Sequence, residues 1–492
     1  MSQPQERINL SEAEIRAVYR QGEEAVVSWV TQLLQRLEVV ESRLEALEGG
    51  RKKTSRNSHK PPSGDGFDKR TKSLRLNSEK PSGGQAGHPG STLEWSETVD
   101  WVEPHDVETC GCCGVSLSEV PVEQWLARQV FDLPAIELRV TEHQVAVKCC
   151  QQCGQQNQGS FPVEANNVVQ YGPRLKGMMV YLMENQLLPS ARTCEVLSDL
   201  FGVQVSEGTL YTSRRQCFEH LAAVEQTIPA TLRNASPVHF DETGMRVQGQ
   251  LWWLHVACTE RLTYYFVHPK RGQAAMDEMA ILPAFSGQAV HDGWKSYAGY
   301  ECEHFLCNAH HLRELQFILD HYGQWWAYHL SLLLVTILHQ VNAAKAQGQT
   351  ALPTEQLTAL ETRYHEILEQ GLAVNPLPTA SPEGPKKRGR PKRSPPLNLL
   401  MRLQSQPASV LGFMYDFAVP FDNNQAERDL RMMKLKQKIS GCFRSEAGAR
   451  MFCRIRGYLS TLRKQEQNVL EALIALFSGQ TTSLDLQPER LF

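Results

Sequence analysis

Midway along the chain the hydrophobic period changes from helical to alternating, and the elements that follow come in an order that leaves few folds open. PVHFDETGMRV, LWWLHVACTE and RLTYYFVHP are β-rich runs joined by the turn-like QGQ and TER, which predicts an antiparallel three-stranded meander from residue 237. A helical stretch around 273–282 comes next, then the short apolar run GQAV ending in HDGWKSY. A further strand, HFLC, leads into a helix at AHHLREL.

Three strands, helix, strand, helix is the order expected of a ribonuclease-H-like domain. Asp241 then sits in the first strand and Asp292 just beyond the fourth. Residues 321–372 are strongly helical and the β-rich pattern does not return, so they read as a helical insertion, closed by the basic loop KKRGRPKR. In the following FDNNQAERDLRMMKLKQKISGCFRS, Glu427, Arg431, Lys434 and Lys438 are spaced 4, 3 and 4 and share one helix face. A carboxylate beside three cations suits a metal ligand flanked by groups that hold phosphates. Three carboxylates are what two-metal phosphoryl transfer needs, with two divalent ions roughly 3.5–4 Å apart. Mg²⁺ or Mn²⁺ is the ion that Asp and Glu oxygens prefer. By spacing alone, three acids out of 54 are equally well read as surface groups, so the weight lies on their local context.

Near the N-terminus Val26, Val30, Leu33, Leu37, Val40, Leu44 and Leu47 form an a/d seam stopped by Gly49-Gly50. It fits a coiled coil between subunits as well as a helix packed on its own domain. The Gly-, Pro-, Ser- and Lys/Arg-rich stretch after it cannot bury a core and reads as a flexible basic linker. Cys110-x2-Cys113 and Cys150-x2-Cys153 then predict one closed, structural Zn²⁺ site, with QWLARQVFDLP and AIELRVTEHQVAVKC as strands of a hairpin between them. Cys112 and Cys149 adjoin these ligands and leave the register open. ARTCEVLSDLFGVQVSEGTLYTSRRQCFEHL has helix-turn-helix spacing around Phe201-Gly202, with Ser206 as a cap.

Weaker features carry two readings each. Cys307, His310 and His311 suggest a second metal site but lack a fourth ligand, and a structural role is favoured. Trp252 or Trp253 can stack a flipped base, although strand alternation turns one of them inward. Arg388, Arg390 and Lys392, in RGRPK, fit either an A·T minor groove or phosphates in general.

The chain of 492 residues has a formal charge of −3, but residues 51–93 carry +7, 386–393 carry +6 and 427–466 carry +7, leaving −23 elsewhere. Three basic segments of one sign point to a nucleic acid met by patches. The polar start has no secretory leader, and the longest apolar run, Leu330 to Leu338, falls far short of the about 20 residues that span a bilayer. Thirteen cysteines in a chain with no secretory leader are expected to stay reduced.

These motifs resemble transposases of the insertion-sequence-66 family over nearly the whole chain. NSHKPPSGD and GGQAGHPGSTL resemble the family's linker, the paired cysteines its zinc segment, and VHFDETGMRV, HDGWKSY, CNAHHLREL and DNNQAERDLRMMKLKQKISGCFRS its catalytic core. The resemblance implies a DDE triad of Asp241, Asp292 and Glu427 holding two Mg²⁺ (or Mn²⁺). It also implies cleavage of element ends and strand transfer into target DNA. The partners it implies are DNA (terminal inverted repeats and target), a second copy of the chain in a homodimer or higher oligomer, and element-encoded helper proteins. The expected location is cytoplasmic and nucleoid-associated.

The resulting expectation is a multidomain α+β protein: a coiled-coil helix (1–50), a basic linker (51–96), a zinc-binding β domain (97–165) and a helix-turn-helix-like domain (166–234). A ribonuclease-H-like α/β core follows in two parts (235–320 and 411–475) around a helical insertion (321–410), with a C-terminal tail (476–492). The alternative is a decayed or domesticated, non-catalytic DNA-binding protein. A two-carboxylate hydrolase ranks last because it leaves the basic segments unexplained.

Overall fold

The computed structural model describes residues 93–134, 136–162, 165–377, 393–480 and 484–486, with isolated positions 16, 19, 20, 22, 26 and 30 before them. The N-terminal seam beyond Val26 and Val30, the linker up to residue 92, and Arg388, Arg390 and Lys392 lie outside the described residues.

Between the cysteine pairs the expected hairpin does not form. Among the described residues of this segment the one sheet joins β1 (Val147–Cys149) and β2 (Gln156–Gln158), antiparallel across the second knuckle. Of the two runs read as strands only Val147–Cys149, at the end of the second, is extended in a sheet, and the other described residues stay irregular, with Trp125, Leu126, Val130, Phe131, Leu138 and Val140 all exposed. Alternation stabilises a strand only where one face has a core to cover, and these apolar side chains bury against none.

Four helices follow: α1 (Pro173–Val180), α2 (Ser190–Phe201), α3 (Glu207–His220) and α4 (Ala222–Leu232), with a π-helical turn at Tyr181–Asn185 after α1. The turn between α2 and α3 is set by Gly202, whose φ of +63° only a residue without Cβ adopts cheaply. Ser206 then caps α3 by accepting the Thr209 N–H at 3.2 Å.

A five-stranded sheet holds the centre. It consists of β3 (Val238–Val247), β4 (Gln250–Cys258), β5 (Thr263–His268), β6 (Gln288–His291) and β7 (Glu303–Leu306), in the order β5-β4-β3-β6-β7. β3, β4 and β5 pair antiparallel, as the meander pattern predicts, and β6 and β7 run parallel to β3. Val247 pairs with Gln250 across Gln248 and Gly249, whose φ values of 51° and 76° make the tight hairpin turn that matches strand twist. The crossover to β6 carries α5 (Gln273–Met279). After β7 come α6 (Asn308–Tyr322), α7 (Trp325–Ala346), α8 (Thr354–Val374), α9 (Pro395–Ser405) and α10 (Pro407–Tyr415), and the chain closes with α11 (Asn424–Ser440), α12 (Glu446–Lys464) and α13 (Val469–Phe477).

Strand parity sorts the two faces of the sheet. Met245 and Val247 of β3, with Leu254 and Val256 of β4, pack against Leu430 and Met433 of α11 and Phe452 of α12. Val238 and Phe240 face the opposite way, onto Leu232, Met276, Phe285 and Tyr297. Each such buried aliphatic or aromatic side chain contributes about 1.5–3 kcal/mol. The helices α7 to α10 gather a separate core around Leu330, Leu334, Tyr364, Leu368 and Leu400, whose described apolar residues meet the sheet at β7. At that join α10 presses so close to β7 that a Cβ on Gly412 would collide with the Phe305 ring. Gly412→Ala is therefore expected to cost about 1–3 kcal/mol in chemical denaturation, a typical cost of overpacking.

Candidate active site

Asp241 lies on the α11 side of β3, sharing parity with Met245 and Val247. β3 pairs with β6 through Val238↔Ala289 and His239↔Val290, and continuing that register by two residues sets Asp241 beside Asp292. Asp292 stands just past the end of β6, where its Oδ1 accepts the Trp294 N–H at 2.8 Å and Gly293 turns the chain at φ +83°.

Glu427 enters from α11, which runs along β3 and is tied to it at three points. At its start Asn423 donates its side-chain amide to the Phe240 carbonyl at 2.8 Å and accepts from His239 Nδ1, also at 2.8 Å. The Asn423 N–H in turn donates to the Cys307 sulfur at 3.1 Å. In mid-helix Lys434 Nζ donates to the Gly244 carbonyl at 2.7 Å. Beyond the C-terminus Phe443 and Gln248 exchange backbone bonds with the end of β3, Phe443 N–H to the Arg246 carbonyl at 3.0 Å and Gln248 N–H to the Phe443 carbonyl at 2.8 Å. Glu427 falls in the first turn of this helix, on the Asp241 end.

Electrostatics links the three acids. Burial pushes the Asp241 carboxyl well above the ordinary range, and the charges of Glu242, Asp292 and Glu427 push it further. A site that raises a carboxyl by crowding like charges onto buried oxygens favours a hard cation. That is the respect in which these residues fit Mg²⁺ or Mn²⁺. As placed, no three His, Cys, Asp or Glu side chains among the described residues lie close enough together to hold a metal ion. The acids are neighbours in charge before they are ligands to one point.

The site gives His310 a place beside Glu427 rather than in a second metal site, and adds Arg313, which the motifs do not single out. His310 Nε2 and Arg313 Nη2, one turn apart on α6, each lie 3.9 Å from Glu427 Oε1. Their i, i+3 spacing in AHHLREL was the available signal. His311 and Cys307, once weighed as metal ligands, have structural partners: His311 Nδ1 meets Asn308 Oδ1 at 3.0 Å, and the Cys307 sulfur is buried and takes the Asn423 N–H. Trp252 faces the α11 core, and Trp253 the opposite side, 5.0 Å from the Arg271 guanidinium. Arg431 and Lys438 are exposed on α11. Lys434 is not, since its amine is spent on the Gly244 carbonyl, and a phosphate role for it would have to share that bond.

The cysteine knuckles are built alike. Gly114 donates to the Cys110 carbonyl at 2.9 Å and Gly154 to the Cys150 carbonyl at 2.8 Å, both glycines at positive φ. The Cys110 thiol is held below its usual range by the backbone N–H groups of Cys113 and Cys112, and Cys150 likewise by those of Cys153 and Gln152. Amides aimed at sulfur favour thiolate, the form that binds zinc, so each knuckle's donor set fits the metal. The repeat matches Cys110/Cys113 with Cys150/Cys153, while Cys149 lies in β1 with its thiol donating to the Gly154 carbonyl at 3.3 Å.

Residues 168–451, more than half of the chain, match the family model described as Transposase IS66 family. The chain belongs to that family. Residues 108–154 match the zinc-finger binding domain of transposase IS66, which supports a zinc ion at the paired cysteines. Residues 1–94 match a family of unknown function, DUF6444. No curated protein matches the sequence. As an IS66-family transposase with a zinc-finger segment the protein is a DNA-binding one, and no helix among its described residues is long and apolar enough to cross a membrane.

Proposed function

We propose that this transposase cuts DNA at the ends of its element and joins them to target DNA through a DDE site of Asp241, Asp292 and Glu427. The observation that carries the reading is the convergence of these acids from three separate elements, β3, the loop after β6 and the first turn of α11, so that Asp241 feels the charge of both others. The sheet order, with three antiparallel strands and two parallel ones beyond β3, supports a ribonuclease-H-like core.

When bound, two Mg²⁺ or Mn²⁺ ions supply activation of the attacking oxygen and neutralisation of charge on the leaving one. Asp241 and Asp292 would be ligands shared by both ions and Glu427 a ligand to one. Arg431 and Lys438 are read as phosphate contacts along α11, and His310 and Arg313 as the groups that orient Glu427. Water attacks the phosphodiester at the element's end, and the freed 3′-hydroxyl then attacks target DNA. Neither step needs a covalent link to the protein. The α2–α3 pair offers an exposed face with Tyr211 and Arg215 for duplex contact, opposite the buried Leu210, Ser213 and Cys217. Pairing of two element ends calls for at least a homodimer, for which the N-terminal seam is the candidate contact.

The test is a nicking and strand-transfer assay on labelled element ends with Mg²⁺ or Mn²⁺ against EDTA, comparing the intact protein with Asp292→Asn. Metal-dependent nicking lost in the variant, with end binding retained, is the expected result. Binding without nicking in the intact protein, with or without added helper proteins, would favour the binding-only alternative.

A further inference from the structure

The catalytic reading leaves one buried acid beside the triad without a task. Glu242 follows Asp241 in β3, so strand alternation turns it to the opposite face of the sheet. Its side chain is fully buried, yet both oxygens are engaged. Oε1 accepts from Arg271 Nε at 2.8 Å and from Nη2 at 2.6 Å, and Oε2 accepts from the Tyr297 hydroxyl at 2.6 Å. A carboxylate taken out of water is tolerated only with such charged and hydrogen-bonded partners.

Both donors reach into the segment that carries Asp292. Tyr297 is five residues further along that segment, and its ring stacks on His291 with centroids 4.4 Å apart. The Arg271 guanidinium lies 4.2 Å from the Trp294 ring and 5.0 Å from the Trp253 ring, so it is held between two indoles. Trp294 is the residue whose backbone N–H fixes the Asp292 carboxylate. Backbone pairing stops one residue short: the β3–β6 ladder ends at His239↔Val290 and the β6–β7 ladder at His291↔Leu306, and Asp292 sits in irregular chain beyond both. Glu242, next to Asp241, therefore pins the Asp292 loop at two points, directly at Tyr297 and through Arg271 at Trp294.

We propose that Glu242, with Arg271 and Tyr297, is a positioning device that holds Asp292 at the separation from Asp241 which a divalent-cation site requires. This rests on the catalytic reading above and assigns these three residues no contact with the reacting atoms. Groups that orient metal ligands typically control metal affinity by about 10–100-fold.

Mn²⁺ binding to the zinc-loaded, full-length protein, followed by the electron paramagnetic resonance of free Mn²⁺ without DNA, tests it in two variants. Tyr297→Phe keeps the stacked ring and the charge and removes one hydrogen bond. Arg271→Gln removes a cation from beside an acidic cluster, which by electrostatics alone would tighten cation binding. The positioning role predicts the opposite sign: the Mn²⁺ dissociation constant rises about tenfold or more in both variants. Element-end binding by the zinc-loaded variants without added Mn²⁺ should stay that of the intact protein. Unchanged binding in Tyr297→Phe, or tighter binding in Arg271→Gln, overturns the proposal. If Arg271→Gln does not fold, Tyr297→Phe decides alone. Failure of the catalytic reading has a different signature: Mn²⁺ binding by the intact protein that is absent, or that survives Asp241→Asn. That result removes both.

Discussion

Asp241→Asn is expected to abolish strand cleavage and, in the metal-free protein, to raise the melting temperature at neutral pH. The two effects have one cause. The carboxyl of Asp241 is driven well above its usual range by burial, then by Glu242, Asp292 and Glu427. A group whose pKa is higher in the folded than in the unfolded chain keeps protons that the unfolded chain has released. Stability therefore falls as pH rises from about 4, the unfolded carboxyl value, through the folded one. The amide has no proton to lose, so the variant escapes this penalty at neutral pH, and its advantage disappears below about pH 4, where both forms are neutral. Each kcal/mol gained would raise the melting temperature by about 2–4 °C in a core of this size. Mg²⁺ should raise the melting temperature of the intact protein and leave the variant's unmoved. Cleavage should fall by about a thousandfold or more, because charge stabilisation by a bound ion is worth several kcal/mol and each 1.4 kcal/mol is a decade. A variant that cleaves normally, or that melts lower than the intact protein at neutral pH, would contradict this account.

Zinc removal should have the second large effect, confined to one segment. The described residues of 101–163 hold two three-residue strands and expose most of their large apolar side chains, so burial gives the segment little order of its own. Structural zinc in comparable small domains contributes an apparent 10–16 kcal/mol or so near neutral pH, enough to decide folding alone. Chelation in the intact protein should open this segment to protease while the five-stranded core keeps its melting transition. Because the amides in each knuckle hold Cys110 and Cys150 below the usual thiol range, zinc should be retained to a lower pH than by unassisted cysteines. Calorimetry with no zinc-dependent transition, and an unaltered digestion pattern, would remove the claim.

Much of this was legible locally. The meander followed from period-two runs separated by QGQ and TER, the α2–α3 turn from Gly202 and Ser206, and the zinc knuckles from Cys-x2-Cys spacing, each a matter of a few adjacent residues. The hairpin expected between the cysteine pairs is missing because alternation only states which side chains could share a face, and among the described residues no second layer receives Trp125 or Phe131. Helix spacing puts Lys434 on the Glu427 face as a phosphate contact, yet its amine meets the Gly244 carbonyl because α11 lies against β3.

The residue types of the proposed triad, and their order along the chain, were written in the sequence. Their convergence was not, since Asp241 and Glu427 are separated by the whole helical insertion and meet through Asn423, which bonds Phe240 and His239 across 183 and 184 positions. Likewise, alternation sends Glu242 away from Asp241 in any strand, but only packing brings Arg271, Tyr297 and Trp294 to it. Propensity and period act over a turn or a strand pair, whereas the charge on a buried carboxylate is set by whatever the fold stacks within a few ångströms of it.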